Sequence, residues 1–329
     1  SEAIEFAKSW LGISDGADLP KLPEVSKEDL EKELEEDERK RVSTAQWLWN
    51  KSKSAKGTPV VTYLKNRGID IELPDCIRYR HIGVKDLEKM NIDKEAFPDG
   101  LHAAVFRTTN LAGEVRAVQT ILIHEGRKAK IVDPKRSNGS LNGAAVKLGQ
   151  PTDKVVLAEG PETGLSVWLA TGIPTWIVLG TANFSRVEIP ESVREIIIAV
   201  DIEQSGFGLA AALRSACYWR SQGKVVRLAI PADGDFNDVL QESGRGAVKT
   251  AIESAVAPTV NAARDDFLIL CVSARDALAA WLATGANVRA TVKEMRPDRH
   301  IPEEVTDVIA LARPGETLPD FSSLLEEGG

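Results

Sequence analysis

Residues 151–257 are predicted to form a compact parallel β-sheet with helices on both sides, which places this region in the α/β class. Apolar runs such as 155–158 and 196–200 do not alternate with polar residues, a pattern typical of strands buried on both faces. After the second of these runs, i, i+3, i+4, i+7 spacing indicates a helix facing the core, with a stripe formed by Leu209, Ala212, Leu213 and Ala216. Strands that alternate with helices favour a parallel sheet.

The order of elements in this region follows from the apolar runs and from the glycines between them. Strands are predicted at 154–158, 175–179, 195–200 and 225–230. Helices are predicted at about 161–171 and 207–222, with further helical segments to about residue 255. Gly172 and Gly223 directly follow the first two helices, where glycine readily adopts the left-handed conformation that closes a helix.

Two helices are predicted upstream of the sheet. The first runs from Ser26 to about Lys53, and Ser26 with Asp29 resembles a capping box at its start. The second covers residues 60–66 and ends at Gly68 in the C′ position.

A β-hairpin is predicted between these helices and the sheet. Strands at 104–107 and 115–122 flank the turn residues 110–113. Residues 133–143 contain Pro, Ser, Asn and two Gly, and we therefore predict a mobile loop there.

Composition bounds the class and location of this 329-residue chain. No apolar run approaches the ~18 residues of a membrane span, so no membrane contact is expected. Cys76, Cys217 and Cys271 lie far apart without a C-x-x-C pair, which argues against a structural zinc site and against a disulfide framework. Free thiols are typical of cytosolic proteins, so a cytoplasmic location is expected.

Charge is distributed unevenly along the chain, whose net charge is −8. Residues 1–40 contain 13 acidic and 6 basic side chains. Residues 127–147 contain Asp133 as their one acid, against six basic residues: Arg127, Lys128, Lys130, Lys135, Arg136 and Lys147. This basic segment predicts a phosphate-binding surface beside the acidic region that follows, with an ordinary solvated loop as the alternative.

Acidic signatures follow three of the predicted strands. They are Glu159 after the first, Asp201 and Glu203 after the third, and Asp235 and Asp238 after the fourth. Because the carboxyl ends of parallel strands meet at one edge of a sheet, these side chains are expected to lie close together. Carboxylate oxygens suit Mg²⁺, which keeps several waters and needs only one or two carboxylates per ion. The sequence therefore predicts a Mg²⁺ (or Mn²⁺) site for phosphoryl chemistry.

The first two signatures also have structural interpretations. A helix N-terminal acid that complements the helix dipole is the alternative for Glu159, although Glu162 fits that role better. A solvated loop pair is the alternative for Asp201 and Glu203. The order and spacing of all three signatures are more specific than any one of them.

Roles within the third signature are divided as follows. Asp235 is the predicted metal-facing residue, with Asp238 second. Asp233 is a candidate turn residue, and Asn237 or Asp238 is a candidate cap of the following helix.

The three signatures together resemble the Toprim domain, which is shared by primases, type IA and type II topoisomerases, OLD-type nucleases and recombination-mediator proteins. The resemblance aligns Glu159 with the glutamate of that family, Asp201 and Glu203 with its Asp-x-Asp pair, and Asp235 with its last acidic motif. It implies a Toprim-type sheet, catalytic and metal-binding roles for these four residues, and Asp238 as a further metal ligand. Glu203 departs from the pattern, since an Asp is usual at that position.

Two upstream features resemble plasmid- and phage-type primases. They are the run Thr-Pro-Val-Val-Thr-Tyr-Leu-Lys-Asn-Arg-Gly-Ile at 58–69 and the hairpin near Gly113. In such enzymes a basic subdomain packs beside the Toprim domain, and the template runs through the groove between them. The resemblance therefore implies contacts to template or nucleotide phosphates for Arg127, Lys128, Lys130, Lys135, Arg136 and Lys147.

The predicted organisation has four parts. They are an acidic helical segment at 1–57, a basic α+β subdomain at 58–150, the Toprim domain at 151–257, and a small α/β region at 258–329. The last part is predicted to be either a degenerate α/β unit or a partner-docking domain.

The leading functional hypothesis is a DNA primase catalytic core that makes short RNA primers. It implies single-stranded DNA, NTPs and a replicative helicase as partners, in a bacterium or encoded by a phage or plasmid. The zinc-binding module typical of many primases is absent from this sequence and is expected upstream or in another chain. No P-loop motif occurs, which excludes a fused P-loop helicase within these residues.

Two alternatives stay open at the sequence level. An OLD-like Toprim nuclease would use the same metal chemistry with water in place of a 3′-hydroxyl. A non-catalytic replication adaptor would bind DNA or a helicase through the acidic N-terminal helix and the C-terminal region.

Overall fold

The computed structural model describes residues 26–202, 207–231 and 234–257, together with 268–269 and 308–309. The chain divides into two units, residues 1–39 and 40–329. The described part of the first unit belongs to the start of helix α1 (Lys27–Lys51) and its cap. Ser26 Oγ accepts a hydrogen bond of 3.1 Å from the backbone N–H of Asp29, which confirms the predicted helix start.

An antiparallel sheet of six strands occupies residues 53–139. Its strands are β1 (Lys53–Ser54), β2 (Ile77–Ile82), β3 (Leu101–Thr109), β4 (Val115–His124), β5 (Arg127–Lys128) and β6 (Lys135–Gly139). They pair in the order β1-β2-β3-β4-β5, and β6 also pairs with β4. The β3–β4 pair confirms the predicted hairpin.

Two short helices accompany this sheet, α2 (Pro59–Asn66) and α3 (Val84–Lys89). Local sequence explains α2. The hydroxyl of Thr58 accepts a hydrogen bond from Val60 N–H, and proline occupies the first helical position, where its missing N–H costs nothing. Gly68 follows the helix with a φ of 75°, which is favourable for glycine. The predicted second helix is therefore confirmed.

Strand β6 corrects the prediction of a mobile loop at 133–143. It pairs in antiparallel register with residues 117–121 of β4. Gly139 permits this pairing, because its φ is 109° and a Cβ there would lie within 3.0 Å of Ala117. The strand Lys-Arg-Ser-Asn-Gly has no apolar alternation, so its sequence carries no strand signal.

A second sheet contains β7 (Val146–Leu148), β8 (Lys154–Ala158), β9 (Thr175–Ile177), β10 (Glu195–Ala199) and β11 (Val225–Ala229). The strand order is β11-β10-β8-β9-β7. Strands β11, β10, β8 and β9 are parallel, and β7 adds an antiparallel edge strand that the sequence did not predict. The α/β class predicted for this region is confirmed.

Helices cover both faces of the second sheet, as predicted. They are α4 (Pro161–Thr171), α5 (Phe207–Ser221) and α6 (Phe236–Glu253). Leu165 and Phe236 of α4 and α6 share one core with β8 and with α2, whereas Leu209 and Leu213 of α5 pack on the opposite face. This arrangement places α2 of the antiparallel sheet beside α4 and α6.

Other predictions fall partly outside the described residues. Strands β12 (Leu268–Ile269) and β13 (Val308–Ile309) pair in parallel. The remainder of the predicted region 258–329 lies outside the described residues. Cys76 and Cys217 are free thiols, and Cys271 lies outside the described residues. None of the described helices is both long and apolar enough to cross a membrane.

Candidate active site

The carboxyl ends of three parallel strands bring two of the predicted acids to one edge of the sheet. Ala158, Ala199 and Ala229 end β8, β10 and β11 and are direct neighbours in register. Glu159 follows the first of these directly, and Asp201 follows the second by two residues. Both acids are partly buried. The expected convergence at the carboxyl edge is therefore present in the backbone.

Asp201 and the residue after it contact α4, the start of α5 and the segment before Asp235. Thr163, in the first turn of α4, directs its hydroxyl to Asp201 Oδ1 at 3.5 Å. A Cβ on Gly208 would lie 2.6 Å from the Asp201 carbonyl oxygen, so α5 can start here only with a glycine at that position. The N–H of Ile202 donates to the Gly234 carbonyl at 2.8 Å. This bond joins the Asp201 loop to the residue directly before Asp235.

Asp235 is the N-cap of α6, which corrects the predicted cap at Asn237 or Asp238, because these are the second and third residues of the helix. Its Oδ1 accepts hydrogen bonds from the N–H groups of Asn237 at 2.6 Å and Asp238 at 2.9 Å. Asp238 completes a capping box, because its Oδ2 accepts from the N–H of Asp235 at 3.2 Å. Both cap bonds of Asp235 use Oδ1, so Oδ2 takes no part in the cap.

Gly234→Ala is expected to destabilise the fold by about 2 kcal/mol, through backbone strain and loss of the capping box. Gly234 has a φ of 58°, and a Cβ there would lie within 3.0 Å of the Asp238 carboxylate. Gly223→Ala is the matched control, since its φ is 78° but no atom lies within 4 Å of the added Cβ. The control is expected to lose about 1 kcal/mol from strain alone. Equal losses in urea unfolding would show that the capping box is not disturbed.

The donor chemistry of this edge fits a hard divalent cation. Glu159, Asp201 and Asp235 offer carboxylate oxygens, the ligands that Mg²⁺ and Mn²⁺ prefer. Within the described ranges, no three His, Cys, Asp or Glu side chains already form a metal cluster. Glu203, which the sequence places in the same ligand set, lies outside those ranges, as does Asp233. The metal assignment stays a prediction based on this set of donors.

A buried carboxylate on α4 binds two of the predicted basic residues. Glu162 is only 3% exposed, and its Oε1 lies 2.6 Å from Lys128 Nζ. Its Oε2 lies 3.5 Å from Lys135 Nζ. The hydroxyl of Tyr63 in α2 donates to Oε1 at 2.5 Å. Glu162 does occupy the first turn of α4, as its interpretation as a helix-dipole acid requires, but it also has three partners from the antiparallel-sheet region.

The charge state of Glu162 follows from these partners. Burial acts to raise its pKa, but Lys135, Lys128 and the hydrogen bonds from Lys128 and Tyr63 together outweigh burial and lower the pKa to about 2. Glu162 is therefore ionised at neutral pH. Burial and the neighbouring carboxylate raise the pKa of Tyr63, so its hydroxyl stays protonated and available as a donor. We refer to Tyr63, Lys128, Lys135 and Glu162 as the Glu162 cluster.

Lys135 lies next to the strand-to-helix turn of the acidic edge. A Cβ placed on Gly160 would be 3.9 Å from Lys135 Nζ and 3.9 Å from Glu162 Oε2. Gly160 directly follows Glu159. A cation carried by β6 therefore reaches the turn that presents the first acidic signature.

A cleft of about 600 Å³ adjoins the Glu162 cluster. It is lined by Tyr63, Asn66, Arg67, Gly126, Arg127, Lys128 and Gln241. Three of these residues carry positive charge, which favours an anionic occupant. Lys130, two residues beyond this lining, is exposed.

Arg136 and Lys147, also predicted to bind phosphates, contact other parts of the fold. Arg136 Nη2 donates to the Met90 carbonyl at 3.1 Å. Lys147 Nζ donates to the Asn110 carbonyl at 2.7 Å and lies 4.5 Å from the ring centroid of Trp176. These contacts stabilise the protein, and the phosphate-binding roles of the two residues stay predictions.

Asn237 links three helices, a role that its sequence context does not indicate. Its side chain is fully buried, and its Nδ2 donates to the Arg67 carbonyl at 2.8 Å and to Ser166 Oγ at 3.0 Å. These bonds connect α6 to the end of α2 and to α4. The sequence does not indicate the contact of Tyr63 with Glu162 either, although Tyr63 lies in the run 58–69 that resembles primases. No local pattern indicates either long-range partner.

Family models match two parts of the chain. Residues 154–246 match the model described as the Toprim domain, which confirms the resemblance inferred from the acidic signatures. Residues 39–148 match a model described as a domain of unknown function (DUF7146). No curated protein matches the chain. The predicted domain boundaries stay predictions.

Solved primase structures show similarity at low sequence identity. A DnaG primase catalytic domain bound to ssDNA gives a TM-score of 0.49 at 14% identity, over 68% of this chain and 81% of that one. A DNA primase domain from Pseudomonas aeruginosa gives 0.48 at 17% identity, over 65% and 78%. The RNA polymerase domain of Mycobacterium tuberculosis primase DnaG gives 0.42 at 16% identity, over 67% and 84%.

Proposed function

We propose that this chain, whose residues 154–246 are a Toprim domain, is the catalytic core of a DNA primase that synthesises short RNA primers on single-stranded DNA. One observation carries the proposal, namely the position of Lys135 beside Gly160 and Glu162 at the acidic edge. Joining nucleotides requires carboxylates that hold a cation and basic groups that hold phosphates. The turn that directly follows Glu159 has the Lys135 ammonium 3.9 Å from the position of a Cβ on Gly160.

The acidic residues have distinct proposed roles. Glu159 acts as a general base that orients or deprotonates the 3′-hydroxyl of the primer end. Asp201, Glu203 and Asp235 hold one or two Mg²⁺ or Mn²⁺ ions, with Asp238 as a further ligand. A divalent cation bound there supplies positive charge that neutralises the incoming triphosphate and the leaving pyrophosphate.

The basic residues bind substrates through charge. Lys135 at the acidic edge and Arg127 in the cleft contact phosphates of the template or of the incoming NTP. Such contacts position a strand without reading its sequence. Because they depend on charge, the affinity for single-stranded DNA falls as the salt concentration rises. The proposed substrates are single-stranded DNA and NTPs, and the proposed partner is a replicative helicase.

Primer synthesis by the purified chain tests this proposal. With single-stranded DNA, labelled NTPs and Mg²⁺ or Mn²⁺, we expect short oligoribonucleotides whose formation needs all three components and stops when EDTA removes the metal. Cleavage of the DNA without dependence on NTPs would identify a nuclease instead. DNA binding with neither product would identify an adaptor.

A further inference from the structure

The two carboxylate oxygens of Glu162 have different partners. Oε1 binds both Lys128 and Tyr63, at 2.6 Å and 2.5 Å. Oε2 faces Lys135 at 3.5 Å and lies 3.9 Å from the position of a Cβ on Gly160. Both oxygens therefore bind groups of the antiparallel-sheet region, and Oε2 is the one that lies beside the Gly160 turn of the acidic edge.

The two lysines also differ in their exposure to solvent. The Lys128 side chain is 28% exposed, and the Lys135 side chain is 40% exposed. A short, largely buried pair resists separation, because either partner alone would be a desolvated charge. A longer pair near the surface contributes little and is easily exchanged, because water and ions screen it.

This difference determines what happens when an anion approaches. A phosphate oxygen that binds Lys135 replaces Oε2 as its partner. Glu162 does not then become an uncompensated buried charge, since Lys128 and Tyr63 still satisfy Oε1. Displacing Lys128 would remove that compensation and is therefore disfavoured.

We infer that Glu162 is a positioning residue that divides the two lysines into a fixed structural cation, Lys128, and an exchangeable phosphate-binding cation, Lys135. Oε2 holds the Lys135 ammonium at the Gly160 turn until a phosphate of the nucleic acid or of an NTP replaces it. The inference rests on the proposed function, because it specifies which cation at that site meets the substrate. The sequence predicted phosphate contacts for both lysines, whereas the inference assigns that role to Lys135 and a structural role to Lys128.

Salt-dependent binding of a single-stranded oligonucleotide separates the two lysines. Lys135→Gln is expected to reduce the steepness of log affinity against log salt by about 0.7, the value for one phosphate contact on a single strand. The melting temperature of this variant should stay close to that of the unmodified protein. Lys128→Gln is expected to keep the slope and to lower the melting temperature.

Lys154→Gln is the matched control for charge removal. Lys154 is 38% exposed and pairs with Glu195 at 2.9 Å, but it lies in β8 at the opposite edge of the sheet. We expect neither its slope nor its melting temperature to change appreciably. Equal slope changes for Lys128→Gln and Lys135→Gln, or a change for Lys128→Gln alone, would overturn the inference.

Kinetics test the positioning role itself. Glu162→Gln is expected to raise the KM for NTP at least threefold in the otherwise unmodified protein, but not in the Lys135→Gln background, because Glu162 acts through Lys135. Additive effects on KM would contradict this. If Glu162→Gln does not fold, the lysine variants still decide the question.

The outcomes distinguish this inference from the proposed function. A protein that shows the predicted slopes but makes no primers contradicts the proposed function and leaves the inference standing. A protein with no salt-dependent binding of single-stranded DNA overturns the inference.

Discussion

Asp201→Asn is expected to abolish primer synthesis, with a loss of at least about 100-fold in rate, while single-stranded DNA binding persists. The substitution preserves the size of the side chain and an oxygen that can accept the hydrogen bond from Thr163. It removes one negative charge from the edge where β8, β10 and β11 end. A cation held there supplies several kcal/mol of charge stabilisation, and each 1.36 kcal/mol corresponds to about tenfold in rate. Labelled-primer assays and oligonucleotide binding, performed side by side, measure both quantities.

Asp153→Asn is the control for this prediction. Asp153 directly precedes β8 at the opposite edge of the sheet and is exposed, so its charge is remote from the acidic edge. It should leave primer synthesis unchanged. Glu159→Gln should reproduce the loss seen with Asp201→Asn. Normal synthesis by Asp201→Asn would remove Asp201 from the proposed site.

Glu162→Gln is expected to lower the free energy of unfolding by about 3–5 kcal/mol, the usual effect of removing one partner of a buried ion pair. The substitution leaves Lys128 largely buried without its counter-charge. Glu195→Gln is the matched control, since Glu195 also pairs with two cations, Lys154 and Arg227, but is 22% exposed. Its loss should be about 1 kcal/mol or less. Urea unfolding measures both variants.

Removing both charges should restore part of the stability. In the double variant Glu162→Gln with Lys128→Met, no buried charge lacks a partner, so the loss should be smaller than in Glu162→Gln alone. A double variant that is less stable than both single variants would show that burial of the unpaired lysine is not the cause.

The same carboxylate should make stability depend on pH in the acid range. The pKa of Glu162 is lowered from 4.5 to about 2 in the folded protein, so the unfolded chain binds the proton first. The contribution of Glu162 is therefore complete above pH 4.5 and is lost as the pH falls towards 2, by about 3 kcal/mol in total. The free energy of unfolding, measured at pH 7, 4.5 and 3, should fall more steeply towards acid pH in the unmodified protein than in Glu162→Gln. Parallel profiles would contradict the assignment.

Local sequence was sufficient for much of the second sheet. The apolar runs that became β8 and β10 are continuous, and a strand buried on both faces needs that composition. Gly172 ends α4 in the left-handed conformation, as glycine does with little strain. By contrast, β6 is polar and β7 is only three residues long, so neither carries a periodic pattern.

The sequence by itself determined that Glu159 and Asp201 would lie at the same edge of a sheet, because the end of a parallel strand is a local property of the chain and all such ends share one edge. Only the tertiary structure decided which cations lie near that edge. Tyr63 and Glu162 are 99 residues apart, and the basic residues that join them come from two different strands of another sheet. The sequence predicted the same phosphate-binding role for six basic residues. Long-range packing brings Lys128 and Lys135 to Glu162, whereas Arg136 and Lys147 contact other parts of the fold. The reason is physical: a buried carboxylate must be neutralised by whichever donors the fold brings to it, and no local pattern of residues specifies those donors.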